Sequence, residues 1–140
     1  MQVVVVNRTG SSQNPDVDQV RPPCFLGDQQ PVAHAVVVTL PLTDQTAGML
    51  DTAAISRVRT DAVLVNVGRG GVVDEAALVD GLDRGLLAGA VLDVFAAEPV
   101  PADSRLWSMP NVLISPHTAA LLLRENDRIV ELSPKTLGTT

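Results

Sequence analysis

Aromatic residues make up only 2% of this 140-residue chain. Any packed core must therefore be aliphatic. Cysteine is reduced to a single residue, Cys24, which excludes an intramolecular disulfide and an all-cysteine metal site and fits a reducing compartment such as the cytoplasm. The two histidines, His34 and His117, are far apart in the chain and offer no zinc-ligand spacing. Cations are in deficit, with 10 Lys and Arg against 16 Asp and Glu and a formal net charge of −6. That balance argues against non-specific nucleic-acid binding, which needs surplus cations to displace phosphate counterions. No apolar run approaches the ~18–20 residues of a membrane span, and the N-terminus lacks the basic flank and apolar stretch of a secretory signal. Internal repeats, a G-x-S-x-G elbow and a G-x-G-x-x-G phosphate loop are also missing. What is present is 46% hydrophobic and only 19% charged, a composition that can bury a core.

Short runs of aliphatic, largely β-branched residues recur along the chain. Val3-Val4-Val5-Val6, Val36-Val37-Val38-Thr39-Leu40, Val63-Leu64-Val65-Asn66-Val67, Ala90-Val91-Leu92-Asp93-Val94 and Asn111-Val112-Leu113-Ile114 predict buried strands. Residues 9–31, rich in Gly, Ser and Pro, read as loop with room for one short strand or turn near 18–26. Asp51 is placed to cap a helix through Val58. Asp74 is placed to cap another to about Arg84, with Gly85 as its stop and Gly81 as a costly interior position. Residues 118–132 read as a closing helix and 133–140 as a polar tail. All-apolar strands alternating with helices predict an α/β fold, a partial Rossmann-type doubly wound parallel sheet with helices on both faces. The domain would occupy residues 1–132. A central strand opening at residue 3 predicts a chain that begins inside its domain.

In such a sheet the ligand crevice lies beyond the carboxyl ends of the strands. The residues there are unusually polar. Arg69, between Gly68 and Gly70, could present its planar fork to a carboxylate or pair with a surface acid. His117, after Ser115-Pro116, could transfer protons near neutral pH or bond within its loop. Glu98 lies just beyond the Asp93 strand end, where Pro99 biases it toward extended backbone, and could carry chemistry or be a solvated loop acid. Arg8, after the first strand where an acid would grip a ribose, could accommodate a 2′-phosphate or be solvated. Gly68-Arg69-Gly70-Gly71-Val72-Val73 is a poor phosphate loop, with Val73 at its third glycine position.

The succession Leu40-Pro41-Leu42-Thr43, Asn66-Val67-Gly68-Arg69-Gly70, Leu92-Asp93-Val94-Phe95 with Glu98-Pro99, and Ser115-Pro116-His117-Thr118-Ala119 resembles the nucleotide-binding domain of the D-isomer-specific 2-hydroxyacid dehydrogenases. The resemblance runs from about Val3 to Leu132. It implies that Arg69 binds and polarises a 2-oxo acid, that His117 is the acid–base group, and that Glu98 bonds His117 and raises its proton affinity. It places Asp93 at the nicotinamide side of the cofactor, with Arg69 and His117 also bordering it. Leu40, Pro41 and Thr46 fall at the adenosine and pyrophosphate end, and Val67 and Gly68 on the nicotinamide half. The implied cofactor is NAD(P), with Arg8 leaning toward NADP. The implied partner is a small 2-oxo or 2-hydroxy acid of the glyoxylate or hydroxypyruvate kind, with neither nucleic acid nor membrane. A homodimer is open. The family's first strand and phosphate loop have no counterpart here, which predicts weak nucleotide binding and little turnover. The alternative is a non-catalytic remnant, or a nucleotide-sensing or interaction module of the same fold.

Overall fold

The computed structural model describes residues 1–119. Six strands and three α-helices follow in the order β1 (Val4–Val6), β2 (Gln19–Arg21), α1 (Leu26–Gln29), β3 (Ala35–Val38), α2 (Thr52–Ile55), β4 (Val63–Asn66), α3 (Glu75–Asp83), β5 (Gly89–Leu92) and β6 (Val112–Ile114). Every strand pair is parallel. This is the expected Rossmann-like α/β architecture. From residue 120 onward, the expected closing helix and polar tail fall outside the described residues.

Pairing divides the strands into β1-β2 and a four-stranded sheet in the order β3-β4-β5-β6. Register is strict across the larger sheet. Val36, Leu64, Ala90 and Val112 form one cross-strand row, and Val38, Asn66, Leu92 and Ile114 the next on the same face. This face carries the core, joined by Ile55, Val72, Leu78, Leu82 and Leu106. The core is aliphatic as expected, with Phe95 its one aromatic member. The expectation that these strands are buried on both faces needs correction. On the opposite face Val37 is 59% and Leu113 58% exposed, so burial among the described residues is one-sided.

The helix boundaries also shift. Asp51 does cap its helix, accepting the Ala54 N–H at 2.8 Å, but α2 ends at Ile55 rather than Val58. Asp74 caps α3 through the Ala77 N–H at 3.0 Å. Gly85, with φ +68°, closes that helix. Its N–H donates to Leu82 O, and the Leu86 N–H donates to Gly81 O, the paired bonds of a Schellman turn. The stretch 9–31, expected to be mostly loop, holds β2, α1 and two 3₁₀ turns. Pro22, Pro23 and Pro31 supply turn starts there rather than disorder, because proline is pre-set for a first helical turn.

Gly81 has a packing reason. A Cβ at that position would stand 2.7 Å from Ile55 Cγ2, so glycine lets α3 close on α2. In an exposed helix Gly→Ala gains ~1 kcal/mol. Gly81→Ala should instead lower the urea midpoint, with a net loss on the order of 1 kcal/mol from overpacking. A raised midpoint would show that α2 and α3 can part without cost.

Candidate functional site

Parallel register brings the carboxyl ends of β4, β5 and β6 to one edge, and the polar loops meet there. The first loop is shaped by Asn66, the last residue of β4 and only 1% exposed. Its Oδ1 accepts the Gly68 N–H and its Nδ2 donates to Arg69 O, both at 3.2 Å. One buried amide thus folds the turn that presents Arg69, whose side chain is exposed and donates to Gly68 O at 2.7 Å.

Two glycines allow this loop its position. A Cβ on Gly68 would meet Leu40 O at 2.7 Å, and one on Gly70 would overlap the Phe95 carbonyl at 1.9 Å. The β4 loop therefore lies against the chain beyond β3 on one side and against the β5 loop on the other. Gly70→Ala should cost about 1–3 kcal/mol in urea denaturation. An unchanged midpoint would contradict the close approach.

The β5 loop carries Glu98. Its Oε1 accepts the Phe95 N–H at 3.0 Å and its Oε2 meets His117 Nδ1 at 2.9 Å. An ionised carboxylate only accepts, so Nδ1 must donate. The hydrogen bond to His117, followed by the one from the Phe95 N–H, holds the Glu98 carboxyl below its ordinary pKa. Both side chains stay open to solvent, 39% exposed for Glu98 and 49% for His117, so the pair is screened and contributes modestly. His117 has φ +55°, the one non-glycine residue with positive φ among the described residues. Such backbone is uncommon and costly for a side-chain-bearing residue.

Arg69, Glu98 and His117 line a single cleft of about 270 Å³, walled by Leu42, Gly70 and Phe95. A larger depression of about 410 Å³ lies along α3. Its arginine, Arg105, is already paired with Asp83 through two bonds. The smaller cleft brings a carboxylate, an imidazole and a guanidinium together, and it is the candidate site.

The remaining sequence candidates are distributed around it. Asp93 is 3% exposed and accepts the Thr118 and Ala119 N–H groups, each at 2.8 Å. Burial pushes its carboxyl up, but hydrogen bonds from Ser115, Ala119 and Thr118 prevail and hold it below the ordinary value. Leu40 is half-buried and Pro41 exposed just beyond β3. Thr46 Oγ1 donates to Pro41 O at 2.7 Å and accepts the Thr43 N–H at 2.8 Å, so it ties that loop together. Val67 is exposed at the end of β4, its N–H on Val38 O at 3.0 Å. Arg8 stands apart from the cleft, exposed in the turn after β1, where Asn7 Oδ1 receives the Gly10 N–H. His34 is exposed and remote from the cleft lining. Asn66, Leu42 and Phe95 were not singled out as site residues from sequence. The one available signal was Asn66, a polar residue closing an otherwise apolar strand.

A parallel α/β sheet with a cation, an acid and a histidine at its carboxyl edge is a Rossmann-type ligand site. Residues 1–119 match the family described as D-isomer specific 2-hydroxyacid dehydrogenase, NAD binding domain. The chain belongs to that family, whose members are NAD(P)-dependent oxidoreductases. Among its relatives, glyoxylate/hydroxypyruvate reductase B of Pectobacterium carotovorum is 46% identical over 80 residues, 57% of this chain and 25% of that protein. The structure of phosphoglycerate dehydrogenase from Lactobacillus plantarum superposes with a TM-score of 0.85 at 32% identity, covering 95% of this chain and 43% of that one. An NADPH-dependent glyoxylate/hydroxypyruvate reductase from Sinorhizobium meliloti, solved with NADP and malonate, gives 0.78 at 32% identity over 94% of this chain and 40% of the other. The chain spans about a quarter to a third of the curated relatives it matches.

The Glu98–His117 pair gives a pH prediction. A carboxyl whose pKa falls on folding stabilises the fold above its unfolded value and ceases to do so as pH drops through the depressed one. The stability difference between the parent chain and Glu98→Gln should be present at pH 6 and vanish in acid, below the ordinary value of 4.5. Urea midpoints across that range measure it, and a difference that grows in acid would reverse the assignment.

Proposed function

We propose that this chain carries the acid–base half of a D-2-hydroxyacid dehydrogenase site, interconverting a small 2-oxo acid of the glyoxylate or hydroxypyruvate kind with its hydroxy acid. The observation that supports this most is the convergence of Arg69, Glu98 and His117 on one cleft. Arg69 offers the acid's carboxylate a two-pronged, charge-assisted contact. Glu98 engages Nδ1 of His117, which leaves Nε2 to face the substrate oxygen. Negative charge developing on that oxygen is quenched by the Nε2 proton, and Glu98 stabilises the cationic ring that delivers it. The Phe95 N–H keeps the carboxylate from swinging away. A reduced nicotinamide dinucleotide, when bound, supplies the hydride.

The residues fit the nicotinamide end of such a cofactor better than its phosphates. Glycines bring the backbone of the β4 loop close to its neighbours, and the cleft is roomy enough for a small acid beside a ring. The 140 residues contain no G-x-G-x-x-G, the usual backbone cradle for pyrophosphate. Arg8, exposed after β1 and without an ion-pair partner among the described residues, is read as a 2′-phosphate contact, which favours NADPH. The NADP-bound reductase from Sinorhizobium meliloti supports that reading.

Titration of the 140-residue chain with NADPH and NADH, followed by nicotinamide fluorescence, tests it. Binding should be weaker than micromolar, with NADPH ahead of NADH and the order reversed in Arg8→Asp. Micromolar affinity would overturn the missing-anchor reading. An unchanged order in Arg8→Asp would remove Arg8 from the site, and absence of dinucleotide binding at any concentration would favour an interaction module.

A further inference from the structure

We infer that Asp93 is a positioning residue for His117, clamping the backbone that follows the histidine so that its ring stays on Glu98. The geometry is direct. Asp93 follows β5, whereas His117 follows β6. Asp93 Oδ1 accepts the Thr118 N–H and Oδ2 the Ala119 N–H, both at 2.8 Å. The Thr118 N–H belongs to the peptide plane joined to the α-carbon of His117, so holding it fixes the plane from which the histidine projects. That plane needs holding, because φ at His117 is +55°, a region that residues with a Cβ leave readily unless surrounding contacts prevent it. The carboxylate is 3% exposed, so water cannot easily replace either amide.

Two further bonds tie the same corner. The Ser115 N–H donates to Leu92 O at 2.9 Å, extending the β5–β6 ladder by one residue. The Ser115 and Thr118 hydroxyls lie 3.1 Å apart. These align the loop with the sheet, but among the described residues only Asp93 grips the peptides after His117. A carboxylate is suited to this and an amide is not. Asparagine has one acceptor oxygen, and its NH₂ group would face a second N–H that it cannot satisfy. The Ser115 hydroxyl adds a third hydrogen bond to the same carboxylate, which steadies the clamp.

The functional consequence rests on the reading of His117 as the acid–base group, but the test does not. The chain has only two histidines, so His34→Asn leaves one imidazole to observe. In that background, long-range ¹H–¹⁵N NMR of the nucleotide-free protein should show the neutral His117 ring mainly with its proton on Nδ1, as donation to Glu98 requires. Asp93→Asn should reduce the ratio of that tautomer to the other about fivefold, the worth of an ordinary hydrogen bond. The core substitution Leu78→Ala, which weakens the fold elsewhere, should leave the ratio unmoved. An unchanged ratio in folded Asp93→Asn would overturn the proposal. Should Asp93→Asn not fold, the parent protein decides. The Thr118 and Ala119 amides should exchange with solvent at least about tenfold more slowly than in an unstructured chain, and exchange at the unstructured rate would refute the clamp. Because no dinucleotide is present, these outcomes are independent of the cofactor titration.

Discussion

Parallel pairing of β4, β5 and β6 is the constraint on which the site depends. Strands that run the same way deliver all their carboxyl ends to one edge, and the register sets which residues meet there. Asn66 is paired with Leu92, and Leu92 with Ile114, so the loops after these residues start level with one another. Arg69, Glu98 and His117 are widely separated in the chain yet share one cleft, because each lies within a few residues of its strand's end. A one-residue slip would turn each side chain to the other face, placing Asn66 and its turn on the wrong side of the sheet.

Loops emerging side by side still have to be held in shape, and two buried polar side chains do this. Asn66 folds the β4 turn back on itself, and Asp93 ties the β5 loop to the one after β6. Both lie in the core with their hydrogen-bonding atoms paired. That pairing is what makes buried polar groups tolerable, and the cost of losing it makes their geometry specific. Glycines at 68 and 70 complete the arrangement by permitting backbone approaches that a Cβ would block. The cleft-lining side chains themselves remain accessible, since Arg69 and His117 are exposed and Glu98 is partly so. Rigid buried supports thus lie beneath reachable polar side chains.

Much of this was legible beforehand, for identifiable reasons. Aliphatic runs such as Val63-Leu64-Val65 marked strands because β-branched residues fit a pleated, buried surface. Asp51 and Asp74 marked helix starts because their carboxylates can accept orphan amides. Gly70 and Arg69 stood out by type and position. Other features were opaque. The exposed face at Val37 and Leu113 could not be foreseen, because an apolar run looks the same whether one or both sides are covered. The α2 stop at Ile55 and the structured stretch 9–31 depend on packing that periodicity does not record. The role of Gly81 became clear only with Ile55 in place opposite it.

The amino-acid sequence by itself determined the class of fold, the polar residues stationed at strand ends and the family to which they belong, because strand propensity, capping and short motifs are local properties carried by neighbouring residues. Only the tertiary structure decided which ring nitrogen of His117 meets Glu98, that Asp93 spends its carboxylate on the amides of Thr118 and Ala119, and that β1-β2 pair apart from the other four strands. Those are relations between segments far apart in the chain. They are settled by how the sheet registers and which backbone groups find partners, and no local pattern encodes that.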